Sequence, residues 1–167
     1  MLKSPKTLKY NIFLLFSEEN CEVKENEWLL ELEDNTWKNI SVYLFKDKAN
    51  KFLVEINLEK ENVASYKDEL SLNKTHVKII RKINDTEVFS GTKRLHKPLS
   101  YGWNTISLAM KQSQHIIVSD FSWKHHRICR IPIRQGYKLI NVRIFSRLFA
   151  VNCNSGNYNN IIKKYIL

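Results

Sequence analysis

The segment Phe52-Leu53-Val54-Glu55-Ile56-Asn57-Leu58 alternates between two sets of side chains. Its even-numbered positions are all large and apolar, whereas the odd-numbered positions include Glu55 and Asn57. Successive side chains of a β-strand point to opposite faces of a sheet, so an apolar period of two is typical of a half-buried strand. Antiparallel sheets commonly keep one face in water. The segment therefore predicts an antiparallel strand with one buried face.

The same alternation continues on both sides of this segment. Asn84 and Asp85 separate two strand-like runs and tolerate the positive φ of a tight turn, which predicts a hairpin. Residues 111–113 separate two further runs in the same way. Besides 52–58, strands are predicted at residues 28–32, 37–45, 76–83, 86–89, 103–110, 114–119, 127–133 and 161–167.

Two segments fit more than one structure. Residues 137–151 fit a strand with Val142 and Ile144 on one face, and they also fit a helix that aligns Ile140 with Ile144. Their β-branched and aromatic content favours the strand. Residues 61–70 admit one short helix.

The number and spacing of these strands predict the fold class. Many short strands separated by turns are typical of a sandwich or a barrel. A chain of 167 residues supports one domain with a sizeable core, and no linker or repeat divides it. We expect an all-β protein, an antiparallel two-sheet β-sandwich of jelly-roll-like type with at most one short helix, occupying residues 1–167 as a single domain.

One part of the sequence resembles a known family. Trp103-Asn104-Thr105-Ile106-Ser107-Leu108, followed by Gln114-His115-Ile116-Ile117-Val118-Ser119-Asp120, is similar to the Trp-led hairpin of laminin-G-like and concanavalin-type sandwiches. The resemblance implies a domain that binds glycans or protein ligands, frequently through calcium at a rim. The chain departs from the family in having only four glycines and no acidic pair beside Asp120, so the resemblance does not carry calcium over.

Charge is distributed unevenly along the chain. Residues 1–75 contain 11 lysines against 14 acidic residues, whereas residues 76–167 contain 16 lysines and arginines against three acids. Every arginine and every histidine lies in the second part. This asymmetry is compatible with a polyanionic partner: a sulfated glycan, a nucleic acid or an acidic membrane surface. Lysines scattered over solvated faces are the alternative explanation.

The candidate ligand-binding residues combine arginines with aromatic side chains. Guanidinium groups bind phosphate or sulfate in bidentate fashion, and aromatic rings stack on bases or sugars. If strands 127–134 and 143–149 are neighbours, their arginines converge on one sheet face. The competing interpretation places Phe145 and Phe149 in the core, with the arginine stems reaching the rim. The proposed basic-aromatic face contains Trp123, Arg127, Arg130, Arg134, Arg143 and Arg147.

The sequence lacks several common catalytic and metal-binding motifs. There is no glycine-rich phosphate loop, no His-Glu-x-x-His, no Gly-x-Ser-x-Gly and no paired cysteine motif. The three cysteines lack metal spacing, and Cys129–Cys153 is the pair expected to bridge in an oxidising compartment. We therefore expect no enzyme activity, no metal and no cofactor.

These observations lead to two functional hypotheses. The first is a non-enzymatic binding module that recognises glycan or a protein surface outside the cell. The sequons at Asn73 and Asn84, which fall in expected loops, favour that location. The alternative is a cytoplasmic or viral nucleic-acid-binding protein. No apolar segment approaches the roughly 20 residues of a membrane span.

Overall fold

The computed structural model describes residues 22–47, 52–121 and 124–151, and within these ranges every regular element is a β-strand. Period-two alternation of apolar residues recurs through most of them, as the sequence predicts. The strands are β1 (Glu22–Leu30), β2 (Trp37–Leu44), β3 (Phe52–Lys60), β4 (Val63–Leu72), β5 (His76–Ile83), β6 (Thr86–Arg94), β7 (Gly102–Lys111), β8 (His115–Asp120), β9 (His126–Pro132) and β10 (Lys138–Val151).

Two antiparallel layers share strand β10. The first is six-stranded, in the order β6-β5-β4-β3-β10-β1, and the second continues from the end of β10 through β2, β7, β8 and β9. Residues 138–146 of β10 pair with β3, whereas residues 149–151 pair with β2. The all-β antiparallel sandwich expected from the sequence is thereby confirmed.

The core lies between the inner faces of the two layers. On β3, Phe52, Val54, Ile56 and Leu58 are each at most 1% exposed, which confirms the alternation read from the sequence. Each such side chain contributes roughly 1.5–3 kcal/mol when it is fully buried. The second layer supplies Ile40, Val42, Ile106, Leu108, Ile116 and Val118 to the same cluster.

The predicted hairpins are present. Asn84 (φ 49°) and Asp85 (φ 62°) join β5 to β6, and both lie in the left-handed region that a two-residue hairpin turn requires. A three-residue turn, 112–114, joins β7 to β8, and Gln112 (φ 52°) and Ser113 (φ 53°) in it also have positive φ.

The prediction of a short helix at residues 61–70 is wrong. Asn62 (φ 61°) turns the chain, and β4 begins at Val63. Tyr66, Asp68 and Leu70 lie on the inner face, so a charged residue occupies a core position of this strand. That charge conceals the period of two, because an acidic residue is normally expected on the solvent side.

The ambiguous segment 137–151 is a strand, as its composition indicates. Val142 and Ile144 are buried in its first part, and Phe149, Ala150 and Val151 are all buried in its last part. The alternation changes phase where β10 passes from one layer to the other, and this produces the mixed periodicity. No helix in the described ranges is long and apolar enough to cross a membrane. The strand predicted at 161–167 lies outside the described residues.

Candidate functional site

The predicted basic-aromatic face does not assemble, because its two strands are not neighbours. β9 is an edge strand, and β2, β7 and β8 separate it from β10. The prediction that the arginines of strands 127–134 and 143–149 converge on one sheet face is therefore wrong, because these strands are not neighbours. Sequence alternation shows which side of a strand a residue occupies, but it does not show which strands are adjacent.

The two arginines of β10 are engaged separately. Arg143 donates to Glu27 and lies 3.9 Å from Glu55, on the side of the six-stranded layer that faces away from the core. Arg147 donates to Asp47 at 2.6 Å and lies 3.9 Å from the centre of the Phe45 ring. Each of these guanidinium groups is paired with an acid of its own.

The remaining members of the predicted face lie elsewhere. Arg127 and Arg130 are exposed on β9, and Arg130 is hydrogen-bonded to Nε2 of His115. Arg134 follows β9 and lies over the rings of Tyr66 and Tyr137. Trp123 lies outside the described residues. Of the two aromatic residues, Phe149 is fully buried, as the competing interpretation held, and Phe145 is half-buried beneath Arg143.

The outer face of the six-stranded layer offers a different candidate. The pairing of the strands aligns its side chains in rows that cross the sheet. One row runs from an apolar end, Phe145 and Leu53, to a polar end. Adjacent strands are 4.7–4.9 Å apart, so five positions span about 19 Å. We call this set of residues the end row: Phe145, Leu53, Ser71, Lys78 and Thr92.

A cavity of ≈ 530 Å³ opens over the end row. Leu53, Ser71, Lys78 and Thr92 line it from four strands, and the turn that joins β4 to β5 completes one side. In that turn the side-chain oxygen of Asn73 accepts hydrogen bonds from the backbone amides of Thr75 and His76, at 2.9 and 2.8 Å. These bonds hold the cavity wall in one conformation.

In the row behind the cavity, nearby cationic side chains neutralise the negative charge of two glutamates. Glu55 and Glu69 lie directly opposite each other on β3 and β4. Lys82 contacts Glu69 at 2.9 Å, and Lys67 lies 3.7 Å from Glu69 and 4.0 Å from Glu55. Arg143 approaches Glu55 from the other side. The two carboxylates are therefore each matched by cations.

Other notable groups lie away from this face. Asp68 and Arg81 form a bidentate salt bridge on the inner side of β4 and β5. The hydrogen bond to Asp68 raises the pKa of Arg81. Cys129 is a free thiol in the described part of the chain, and burial raises its pKa to about 12. The bridge to Cys153 expected in an oxidising compartment stays a prediction. Cys153 lies outside the described residues. Within those residues no group of His, Cys, Asp or Glu is arranged to hold a metal ion.

Sequence reasoning missed the end row because its residues come from five separate strands. The signal that was present is the outward half of the alternation on β4 and β5: Ser71 and Lys78 each follow a buried residue. Thr92 carries no such signal, because β6 has no buried position. Only the register shows that these three residues are cross-strand neighbours.

Comparison with known proteins bears on the fold. No family model and no curated protein matches the chain. Among solved structures, sheep galectin-11 in complex with glycerol is similar over 75% of this chain and 92% of its own, with a TM-score of 0.53 and 7% identity. Chicken galectin 2 is similar over 75% of this chain and 98% of its own, with a TM-score of 0.52 and 16% identity. Caenorhabditis elegans galectin LEC-6 is similar over 77% of this chain and 93% of its own, with a TM-score of 0.50 and 10% identity.

At these identities the likeness concerns the fold alone. It confirms a concanavalin-type sandwich at the level of architecture. The more specific laminin-G-like resemblance stays a prediction. The chain has the β-sandwich fold of the galectins.

Proposed function

We propose that this protein is a non-enzymatic, lectin-like module that binds a glycan in the cavity over the end row. The galectin-type fold supports a glycan-binding module. The observation that carries the proposal is the lining of the cavity: the apolar side chain of Leu53 lies beside the hydrogen-bonding side chains of Ser71, Lys78 and Thr92 in one cross-strand row.

This combination suits the chemistry of a sugar. A pyranose ring has an apolar face of C–H groups and a rim of hydroxyls that donate and accept hydrogen bonds. Apolar and aromatic side chains pack against the face, and hydroxyl and ammonium groups bind the rim. A cavity of ≈ 530 Å³ is within the size range of small-molecule sites.

An extracellular location belongs to this proposal. Asn84 is exposed and lies in the turn between β5 and β6, away from the cavity, where an attached glycan is accommodated.

The test is binding to a glycan array, followed by titration calorimetry with Ser71→Leu. Leucine removes the hydroxyl and fills the cavity, so affinity for the best array glycan should fall at least tenfold. Ser65→Leu is the matched control, because Ser65 lies on the same strand and face at the far end and should bind normally. A blank array with folded protein would contradict the glycan function. Loss of binding in Ser65→Leu but not in Ser71→Leu would place the ligand elsewhere.

A further inference from the structure

The outer face is not uniform in charge. In the row behind the cavity, Glu55 and Glu69 are each contacted by cations, as described above. Toward the turn after β4, the cross-strand pairs are Lys78 with Thr92 and His76 with Arg94. No ion pair joins Lys78 or Arg94 to an acid in the described part of the chain, and both side chains are exposed.

The sequence explains why this end stays positive. No acidic residue occurs between Val88 and Ser119, so every charged side chain in the last part of β6 and in the loop after it is basic. The acid on the cavity wall is Glu69, whose carboxylate is held by Lys82 at 2.9 Å and Lys67 at 3.7 Å. The positive potential of Lys78 and Arg94 is therefore not cancelled locally.

The donors at this end suit a group that only accepts hydrogen bonds. Lys78 and Arg94 are diagonal neighbours across β5 and β6, a separation that long side chains bridge. Ser71 and Thr92 add hydroxyl donors on either side of Lys78. Sulfate and carboxylate groups carry only acceptors and bind strongly to charged donors.

We infer that the glycan bound over the end row carries an acidic group, a sulfate ester or a carboxylate, which Lys78 and Arg94 receive. The inference rests on the proposed function and adds the class of sugar to it. The neutral part of the glycan lies toward Leu53, and the acidic group lies toward β6.

A nucleic acid fits this end less well. Stacking of bases on aromatic rings is the usual basis of single-strand binding, and the polar end of the row, Ser71, Lys78 and Thr92, has no aromatic member. Binding of a nucleic acid here is therefore an outcome that the test must exclude.

The test compares lactose, sulfated lactose and sialyllactose by titration calorimetry on the full chain. We expect the two acidic forms to bind about tenfold more tightly than lactose, the effect of one charge-assisted hydrogen-bonded contact. The double variant Lys78→Gln and Arg94→Gln should reduce this preference to within about twofold. The matched control, Lys93→Gln and Lys138→Gln, removes the same charge at exposed positions outside the end row and should keep the preference.

The outcomes separate the inference from the function on which it rests. Equal affinity for all three sugars overturns the acidic preference and leaves a glycan-binding module. Absence of binding to all three sugars, together with a blank glycan array, overturns the proposed function itself. Competition by inorganic sulfate as effective as that of sulfated lactose, or tight binding of a DNA oligonucleotide that the double variant abolishes, also overturns the inference.

Discussion

Asp68 is an acid at a core position, and its environment explains how the fold accommodates it. The residue is 1% exposed, and its two carboxylate oxygens accept from Nε and Nη2 of Arg81 at 2.8 and 2.9 Å. The guanidinium group of Arg81 lies 4.5 Å from the centre of the Tyr66 ring. A buried carboxylate is tolerated when its hydrogen bonds are made in this way.

Replacement of Asp68 by alanine should lower the free energy of unfolding by about 3–5 kcal/mol, because it leaves the charge of Arg81 partly buried and unpaired. Urea denaturation followed by tryptophan fluorescence measures the change. Asp47→Ala is the matched control, since the carboxylate of Asp47 is 55% exposed in its pair with Arg147, and exposed pairs contribute about 0–1 kcal/mol. Equal losses for the two variants would contradict the structural role of the buried pair.

At the scale of the element, β10 connects the two layers. Its first part lies between β1 and β3, and its last three paired residues contact β2. The phase of its alternation changes between these parts, so Phe145 lies on the outer face while Phe149 lies in the core at 0% exposure. A strand that served only one layer would keep a single phase along its length.

The two phenylalanines should therefore differ in their contribution to stability. Phe149→Ala creates a cavity where the layers meet and should lower the free energy of unfolding by about 3–5 kcal/mol. Phe145→Ala, the same substitution on the half-buried outer face, should lower it by about 1 kcal/mol. Chemical denaturation of both variants measures the difference. A larger loss at Phe145 would show that the assigned faces are reversed.

For the whole molecule, the charge asymmetry of the sequence is only partly retained at the surface. The second part of the chain carries most of the positive charge, but its strands are distributed over both layers. Arg81, Arg143 and Arg147 are each paired with an acid from the first part. The positive field is thereby weakened at β10 and persists near Lys78 and Arg94.

Heparin chromatography should distinguish these two regions. The double variant Arg143→Gln and Arg147→Gln should elute at nearly the same salt concentration as the parent protein, because these side chains are already paired. The double variant Lys78→Gln and Arg94→Gln removes the same charge and should elute at clearly lower salt. Elution of the arginine variant at clearly lower salt would instead support the basic-aromatic face that was predicted from the sequence.

The sequence by itself determined the hairpins, most of the strands and most of the buried positions, but not strand β4. These follow from local properties: period-two alternation along β3, and the positive φ tolerated by Asn84 and Asp85. Tertiary structure alone decided which strands are neighbours, that Asp68 enters the core, and that Ser71, Lys78 and Thr92 form one row. The physical reason is that alternation fixes the side of each residue, whereas adjacency depends on pairing between segments that are distant along the chain.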